Sequence, residues 1–130
     1  PIAKYGPDQK RYAGIHGEFR KAMAAPAKLP EFKGNVTAVF TENYWDLQLS
    51  ELVDRKGKAN AKRRELSKDK TLTREQRDKA IAEFTAKLFT KKELKILEVG
   101  TSNAAYHYLG SAKILAQIGK AFADARAAMK

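Results

Sequence analysis

Residues 36–40, Val-Thr-Ala-Val-Phe, constrain the fold more than any other segment, because they are the one clear strand signal in the chain. A run of β-prone, uncharged residues is typical of a strand buried on both sides in a parallel sheet. A lone parallel strand leaves its backbone hydrogen bonds unsatisfied, so this one needs neighbours on both edges. Either residues 94–99 and part of the opening segment supply those neighbours, or the rest of the sheet lies outside this chain. We favour the second explanation.

Helical patterns account for most of the remaining sequence. Residues 1–17, rich in Gly, Pro and Tyr, predict irregular structure, and residues 17–25 predict a short amphipathic helix that Pro26 ends. A second helix is predicted to begin at residues 47–53.

The second half of the chain contains clearer helix signals. Thr73 and Gln76 have the spacing of a capping box, ahead of a helix with one apolar face. Residues 94–99 are ambiguous between helix and strand, because short apolar runs do not fix the period. Ser111 is positioned to cap a final helix, whose apolar face comprises Ile114, Leu115, Ile118, Phe122, Ala125 and Met129.

The composition is that of a globular domain. With 130 residues and 43% hydrophobic content, the chain is long enough to bury one core. It contains no cysteine, which excludes disulfides, thiolate metal sites and a cysteine nucleophile. No apolar run approaches the roughly 18 residues that span a bilayer, so no membrane span is predicted, and no signal-peptide pattern opens the chain.

The net charge of +11 is unevenly distributed. Residues 55–79 contain eleven Lys or Arg against four Asp or Glu, which is most of the excess. Such a run favours a solvated helical excursion, with an acidic partner as the alternative. Aromatic residues are absent from this stretch, so it offers no stacking platform for single-stranded nucleic acid, and nucleic acid is the less favoured partner.

His107 is the first candidate functional residue. It is one of two histidines, lies between Tyr106 and Tyr108, and occupies a loop-like segment of the kind where functional residues collect. It could act as a general base, ligate a metal, or bond a backbone carbonyl while the tyrosines pack. The metal role lacks further ligands, since His16 is the only other histidine. Taken alone, the residues favour the structural role and leave the base role open.

Five sequence blocks from about residue 19 onward form a combined pattern: RKAMAAP at 20–26, PEFKGNV at 30–36, ENYWD at 42–46, NAAYHYLGSA at 103–112 and IGKAFA at 118–123. Together they resemble the C-terminal part of the sialate O-acetylesterase-like carbohydrate esterases. That family belongs to the SGNH, or GDSL-type, serine hydrolases.

The resemblance implies an α/β fold class. Residues 1–130 would be a single C-terminal segment of a three-layer α/β/α SGNH (flavodoxin-like) sandwich, mostly helical within this chain, with a basic helical excursion at about residues 47–95. Residues 36–40 would be a late strand of its parallel sheet, and residues 111–130 its closing helix.

The resemblance also implies a reaction. His107 would be the catalytic base in the hydrolysis of an acetyl ester on a carbohydrate hydroxyl, by a mechanism that needs no metal or other cofactor. The implied partners are an acetylated carbohydrate substrate and the N-terminal half of the same hydrolase domain. The implied location is secreted or periplasmic.

The chain departs from the family at the residue that orients the histidine. SGNH enzymes commonly place an aspartate three residues before it, and here that position is Ala104. The orienting role then falls to a backbone carbonyl, to Asn103, or to a more distant acid such as Asp46 or Glu42.

The nucleophile is the second departure. The family's Gly-Asp-Ser block and its oxyanion donors are absent from this chain. Two serines close to His107 in sequence suit loop bonding and helix capping better than catalysis; the four serines are Ser50, Ser67, Ser102 and Ser111.

Asn43, Tyr44 and Trp45 are the candidate substrate-binding residues, because aromatic rings stack on sugars and strand-end loops hold ligands. Packing of Trp45 in the core is the alternative. The resemblance thus implies that the chain carries the base half of a serine-dependent carbohydrate O-acetylesterase. The other hypothesis is a non-catalytic basic module that binds nucleic acid or an anionic polysaccharide.

Overall fold

The computed structural model describes residues 10–129, with the side chains of residues 14–129, and these residues form helices joined by short connections. The α-helices are α1 (Lys10–Ala24), α2 (Leu47–Lys68), α3 (Arg74–Leu88), α4 (Lys91–Gly100) and α5 (Ala112–Ala128). Short 3-10 helices lie between them, at Ala25–Lys28, Pro30–Phe32, Thr41–Tyr44 and Ala105–Gly110. None of the helices in this described part is long and apolar enough to cross a membrane.

The chain divides into two compact units. Unit 1 comprises Pro1–Asp46 and Ser102–Lys130, and unit 2 comprises Leu47–Thr101. In unit 2, α2 packs against both α3 and α4. Its core is formed by Leu52, Phe89 and Leu97, of which Leu52 is only 1% exposed. Burial of one such side chain contributes about 1.5–3 kcal/mol of transfer free energy.

Two capping boxes fix where the helices of unit 2 begin. Thr73 accepts a hydrogen bond from the backbone N–H of Gln76, and the Gln76 side chain accepts one from the backbone N–H of Thr73, which confirms the predicted box. Thr90 and Glu93 form a second box at the start of α4. Each satisfies backbone N–H groups that the first turn of a helix leaves without a partner.

Arg55 connects α2 to the junction between α3 and α4. Its Nη1 donates to the carbonyl oxygen of Leu88 (2.8 Å), and its Nη2 donates to Oε1 of Glu93 (2.5 Å). The backbone N–H of Thr90 also donates to Glu93, at 2.7 Å. Donation from that N–H, then from Arg55 and from the Thr90 hydroxyl, lowers the pKa of Glu93 to about 2. Hydrogen bonds to a carboxylate favour its charged form, which accounts for the direction.

Unit 1 is built around α5. The short helix Thr41–Tyr44 and the segment Ala105–Gly110 both pack on this helix. The fully or nearly buried apolar residues of the unit are Ala24, Trp45, Leu109, Ile114 and Ile118. Many other large apolar side chains of its described residues are exposed: Ile15, Phe19, Met23, Leu29, Phe32, Val36, Phe40, Leu115 and Phe122.

The final helix is confirmed, although its cap is not. α5 begins at Ala112 and buries Ile114 and Ile118, while Leu115 and Phe122 of the predicted apolar face are about half exposed. Ser111 occupies the N-cap position, but its side chain makes no capping hydrogen bond and is buried instead. The prediction that Ser111 caps this helix through its hydroxyl was therefore wrong.

The predicted α/β fold class, the C-terminal part of a three-layer α/β/α SGNH (flavodoxin-like) sandwich, is wrong for the described residues. No strand or sheet occurs between residues 10 and 129. Residues 36–40 have no regular secondary structure, and no strand lies beside them among the described residues, so their backbone N–H and C=O groups have no ladder to join. Residues 94–99 lie within α4, because the Thr90–Glu93 box starts a helix just ahead of them.

The opening of the chain also differs from the prediction. The helix expected over residues 17–25 begins at Lys10, so residues 10–17 are helical rather than irregular. It ends at Ala24, just before Pro26, as the proline predicts. The predicted irregular structure of residues 1–9 lies outside the described residues.

Candidate active-site loop

The loop over residues 102–110 is closed by hydrogen bonds between its two ends. The backbone N–H groups of Ser102 and Asn103 both donate to the carbonyl oxygen of Leu109, at 2.9 and 3.0 Å. The Ser102 hydroxyl donates to the carbonyl oxygen of Gly110 at 3.0 Å. Inside the loop, the N–H groups of His107 and Leu109 share the carbonyl oxygen of Ala104. The loop is therefore a self-bonded structure, which suits a surface segment that presents a functional side chain.

Three consecutive residues of this loop have left-handed backbone conformations. Tyr108 has φ 52°, Leu109 has φ 59° and Gly110 has φ 58°. For a residue other than glycine this conformation costs roughly 1–2 kcal/mol. Leu109 is only 1% exposed, so its burial in unit 1 offsets the strain. Strained residues of this kind cluster at functional sites.

Tyr108 attaches the loop to the rest of unit 1. Its hydroxyl lies 2.9 Å from the hydroxyl of Thr41, at hydrogen-bonding distance. Its ring centroid lies 6.3 Å from that of Trp45, with the planes at 56°, within the range of a favourable aromatic pair. The loop therefore meets the short helix Thr41–Tyr44 and the residue after it.

His107 projects from the loop and is exposed. Its ring centroid lies 4.4 Å from that of Tyr106, itself 71% exposed. Neither ring nitrogen of His107 makes a hydrogen bond within the part of the chain that the structure describes. Both nitrogens are thus free to act on a group that approaches from outside.

The residues proposed to orient His107 are engaged elsewhere. The side-chain oxygen of Asn103 accepts from the backbone N–H of Ala104, at 2.8 Å. Asp46 pairs with Lys113 at 2.7 Å, and Glu42 pairs with Arg20 at 2.9 Å. Neither the Asp46 nor the Glu42 carboxylate contacts the imidazole, so the described residues bring no acid to His107.

The predicted substrate-binding residues lie in the region that Tyr108 contacts. Asn43 is exposed and Tyr44 is half-buried, both in the short helix Thr41–Tyr44. Trp45, which follows it, is 8% exposed and packs in the core, which favours the core alternative for its indole. The buried Nε1 of Trp45 has no hydrogen-bond partner among residues 14–129.

Sequence reasoning missed a groove in unit 1. A cavity of about 190 Å³ lies between α1 and residues 36–41, with Arg20, Met23 and Ala24 on the helical side. The apolar residues of the segment were visible in the sequence as a strand signal. What the sequence did not indicate is that these residues line a surface groove.

Within residues 14–129, the structure brings neither a nucleophile nor a metal site to the histidine. Ser102 bonds within the loop and Ser111 is buried, while Ser50 and Ser67 lie in α2 of the other unit. Among residues 14–129, no group of three or more His, Asp or Glu side chains could hold a metal ion.

Comparisons of the chain with protein-family models, with curated proteins and with solved structures found no match. The resemblance to sialate O-acetylesterase-like enzymes is therefore an expectation from the five sequence blocks alone.

Proposed function

We propose that this chain supplies the catalytic base, His107, of a serine-dependent carbohydrate O-acetylesterase whose nucleophile and oxyanion donors lie outside the chain. One observation carries the proposal. An exposed histidine with both ring nitrogens free of partners within the described residues stands beside two strained left-handed residues, Tyr108 and Leu109, in a self-bonded loop. Backbone strain of this kind is typical of functional sites.

The chemistry assigned to His107 is ordinary acyl transfer. The imidazole takes the proton from the serine hydroxyl while the serine oxygen attacks the acetyl carbonyl carbon, and a tetrahedral oxyanion forms. Collapse of that intermediate breaks the bond to the sugar oxygen, which receives the proton from the imidazolium. Water then repeats the sequence on the acetyl-enzyme, releasing acetate and regenerating the serine.

The orienting group for His107 is also assigned to the nucleophile's segment. Ala104 stands at the position where the family usually has an aspartate, and Asn103, Asp46 and Glu42 are occupied. Substrate contacts on this chain are assigned to the exposed Asn43 and the half-buried Tyr44. Trp45 then stabilises the loop of His107 through its ring contact with Tyr108.

The exposed apolar side chains of unit 1 support the proposal that a segment outside this chain covers its surface. Phe19, Met23 and Phe122 are each more than half exposed, and Val36 and Phe40 are more than a third exposed. Large exposed apolar areas mark interaction surfaces. The backbone N–H groups of residues 37–40 make no backbone hydrogen bonds among the described residues, so this segment also presents polar groups to a partner.

The test is His107→Ala in an enzyme that also carries the nucleophile's segment. General acid–base catalysis contributes about 10²–10⁴-fold, so kcat for acetate release from p-nitrophenyl acetate and from an O-acetylated sugar should fall by that factor. His16→Ala, which changes the only other histidine, is the matched control and should retain kcat. An unchanged kcat in the folded His107→Ala enzyme would remove His107 from the mechanism.

A further inference from the structure

The hairpin of α2 and α3 carries the densest positive charge of the chain. Residues 55–79, with eleven Lys or Arg against four Asp or Glu, occupy most of α2, the connection after Lys68 and the first turns of α3. A concentration of one charge on one surface raises the local density of counter-ions and steers oppositely charged ligands.

Three arginines of this hairpin line one cavity. Arg63 from α2 and Arg74 and Arg77 from α3 surround a volume of about 230 Å³. Leu66 and Ile81, both half-buried, supply its apolar lining. Ligand pockets for whole small molecules usually measure about 300–1,000 Å³, so this cavity fits one charged group and its immediate attachment.

The guanidinium groups keep most of their donors available. The guanidinium of Arg63 makes no hydrogen bond or ion pair with any other described residue. Arg74 lies 3.8 Å from Asp78, but both side chains are largely exposed, and such pairs contribute little. Arg77 makes a long contact, 3.5 Å, with the carbonyl oxygen of Ser67, and its charge also interacts with the Asp69 carboxylate. Asp78 is the one carboxylate in the lining, so the cavity has a net charge of about +2.

The donor type decides the ligand chemistry. A guanidinium presents a planar fork that binds an oxyanion through two parallel hydrogen bonds, whereas an ammonium acts as a point charge. Exposed lysines of the same stretch, such as Lys68, Lys70 and Lys79, extend the positive surface beyond the cavity. A polymer with repeated acidic groups matches both features, because one group fills the cavity while its neighbours meet the lysines.

We propose that the α2–α3 hairpin binds an anionic polysaccharide, with Arg63, Arg74 and Arg77 holding one of its sulfate or carboxylate groups. The choice of polysaccharide over nucleic acid rests on the proposed function, whose substrate is a carbohydrate. The absence of aromatic residues between residues 55 and 79 also argues against single-stranded nucleic acid, because no ring is available to stack on its bases. The hairpin then holds the polymer that the esterase acts on, through residues separate from the loop of His107.

The experiment measures binding of the chain itself to immobilised dextran sulfate and polygalacturonate, with neutral dextran as the blank and duplex and single-stranded DNA as competitors. Arg63→Gln/Arg74→Gln should weaken binding about tenfold or more, since each lost charge-assisted pair contributes on that order. Lys56→Gln/Lys58→Gln removes the same charge from exposed positions of α2 outside the cavity, and should weaken binding about threefold or less.

A third variant separates geometry from charge. Arg63→Lys/Arg74→Lys keeps both charges but removes the fork, and binding should fall nearly as far as with the glutamine variant. Both arginines are exposed, and circular dichroism checks that each variant keeps its helices.

Several outcomes would overturn the proposal. Equal losses for Arg63→Gln/Arg74→Gln and Lys56→Gln/Lys58→Gln would mean that binding depends on the overall positive charge and not on the cavity. Full binding by Arg63→Lys/Arg74→Lys would mean that the paired hydrogen bonds of a guanidinium are not required. Tighter binding of either DNA than of both polysaccharides would assign the surface to nucleic acid. This assay needs no hydrolysis, so its failure is distinguishable from failure of the His107→Ala test.

Discussion

Gly110 is the residue whose identity the active-site loop depends on most directly. Its φ of 58° disfavours any side chain, and a Cβ built there would clash with the Ser102 hydroxyl oxygen and lie 2.9 Å from the backbone nitrogen of Asn103. The loop cannot relieve this clash without breaking the bonds that join its ends. Gly110→Ala should therefore lower the free energy of unfolding by roughly 2 kcal/mol or more, measured by urea denaturation.

Gly119 provides the matched control for this substitution. It lies within α5, and a Cβ there would meet nothing within 4 Å. Gly119→Ala should raise the stability by about 0.5–1 kcal/mol, because alanine restricts the unfolded chain and favours the helix. Equal effects of the two substitutions would mean that the left-handed turn is not required by the folded loop.

Tyr108 and Tyr106 allow a second comparison, in which each variant loses a single hydroxyl group. The Tyr108 hydroxyl bonds with that of Thr41, whereas the Tyr106 hydroxyl has no partner within residues 14–129 and its ring is mostly exposed. Tyr108→Phe should cost about 0.5–1.5 kcal/mol of unfolding free energy, and Tyr106→Phe should cost nothing measurable. Thermal unfolding of the two variants measures the difference. A stable Tyr108→Phe variant would show that the hydroxyl pair does not hold the loop.

At the level of elements, the first turn of α4 makes unit 2 sensitive to acid. The pKa of Glu93 is about 2 in the folded chain, against an ordinary value of 4.5, so the unfolded chain takes up this proton first. The stabilisation is present above about pH 4.5 and is lost as the pH falls from 4.5 to 2. Unfolding by urea at several pH values should show this loss.

Glu93→Gln isolates that contribution from the other carboxyl groups. The variant should be less stable than the parent chain at pH 7, because the charged bond from Arg55 is gone, and the difference should shrink as the pH approaches 2. Lys95 and Glu98 pair on the exposed face of the same helix, so Glu98→Gln is the control and should have little effect. A gap that stayed constant with pH would contradict the assignment.

The sequence predicted where α2, α3 and α5 begin, because their signals are local, whereas the starts of α1 and α4 were not predicted. The Thr73 capping box needs only four neighbouring residues, and the final helix follows from its own apolar spacing. Residues 36–40 and 94–99 were harder, since short apolar runs do not fix a period. The first run lacks a neighbouring strand in the described chain, and the second follows a Thr90–Glu93 box whose significance the sequence prediction overlooked.

The candidate site was predictable in place but not in geometry. The position of His107 on a connection followed from its neighbours, since no apolar stripe runs through it. The left-handed Tyr108 and Leu109 carry no sequence signal, because non-glycine residues adopt that conformation only where surrounding contacts enforce it. The bond from Tyr108 to Thr41 joins residues 67 positions apart, a separation that local patterns do not reach.

At the scale of the whole molecule, net charge should determine how stability responds to salt. With a net charge of +11 at pH 7, the positively charged side chains repel one another in the compact state. The ion pairs of the described chain are mostly exposed and contribute little to the free energy of unfolding. Raising NaCl from about 0.01 M to 0.15 M shortens the screening length from about 30 Å to about 8 Å. The midpoint of thermal unfolding should therefore rise with NaCl.

Lys56→Gln/Lys58→Gln should show a smaller rise, because part of the repulsion is already gone. A midpoint that fell with salt would mean that pairs such as Arg55–Glu93 outweigh the repulsion.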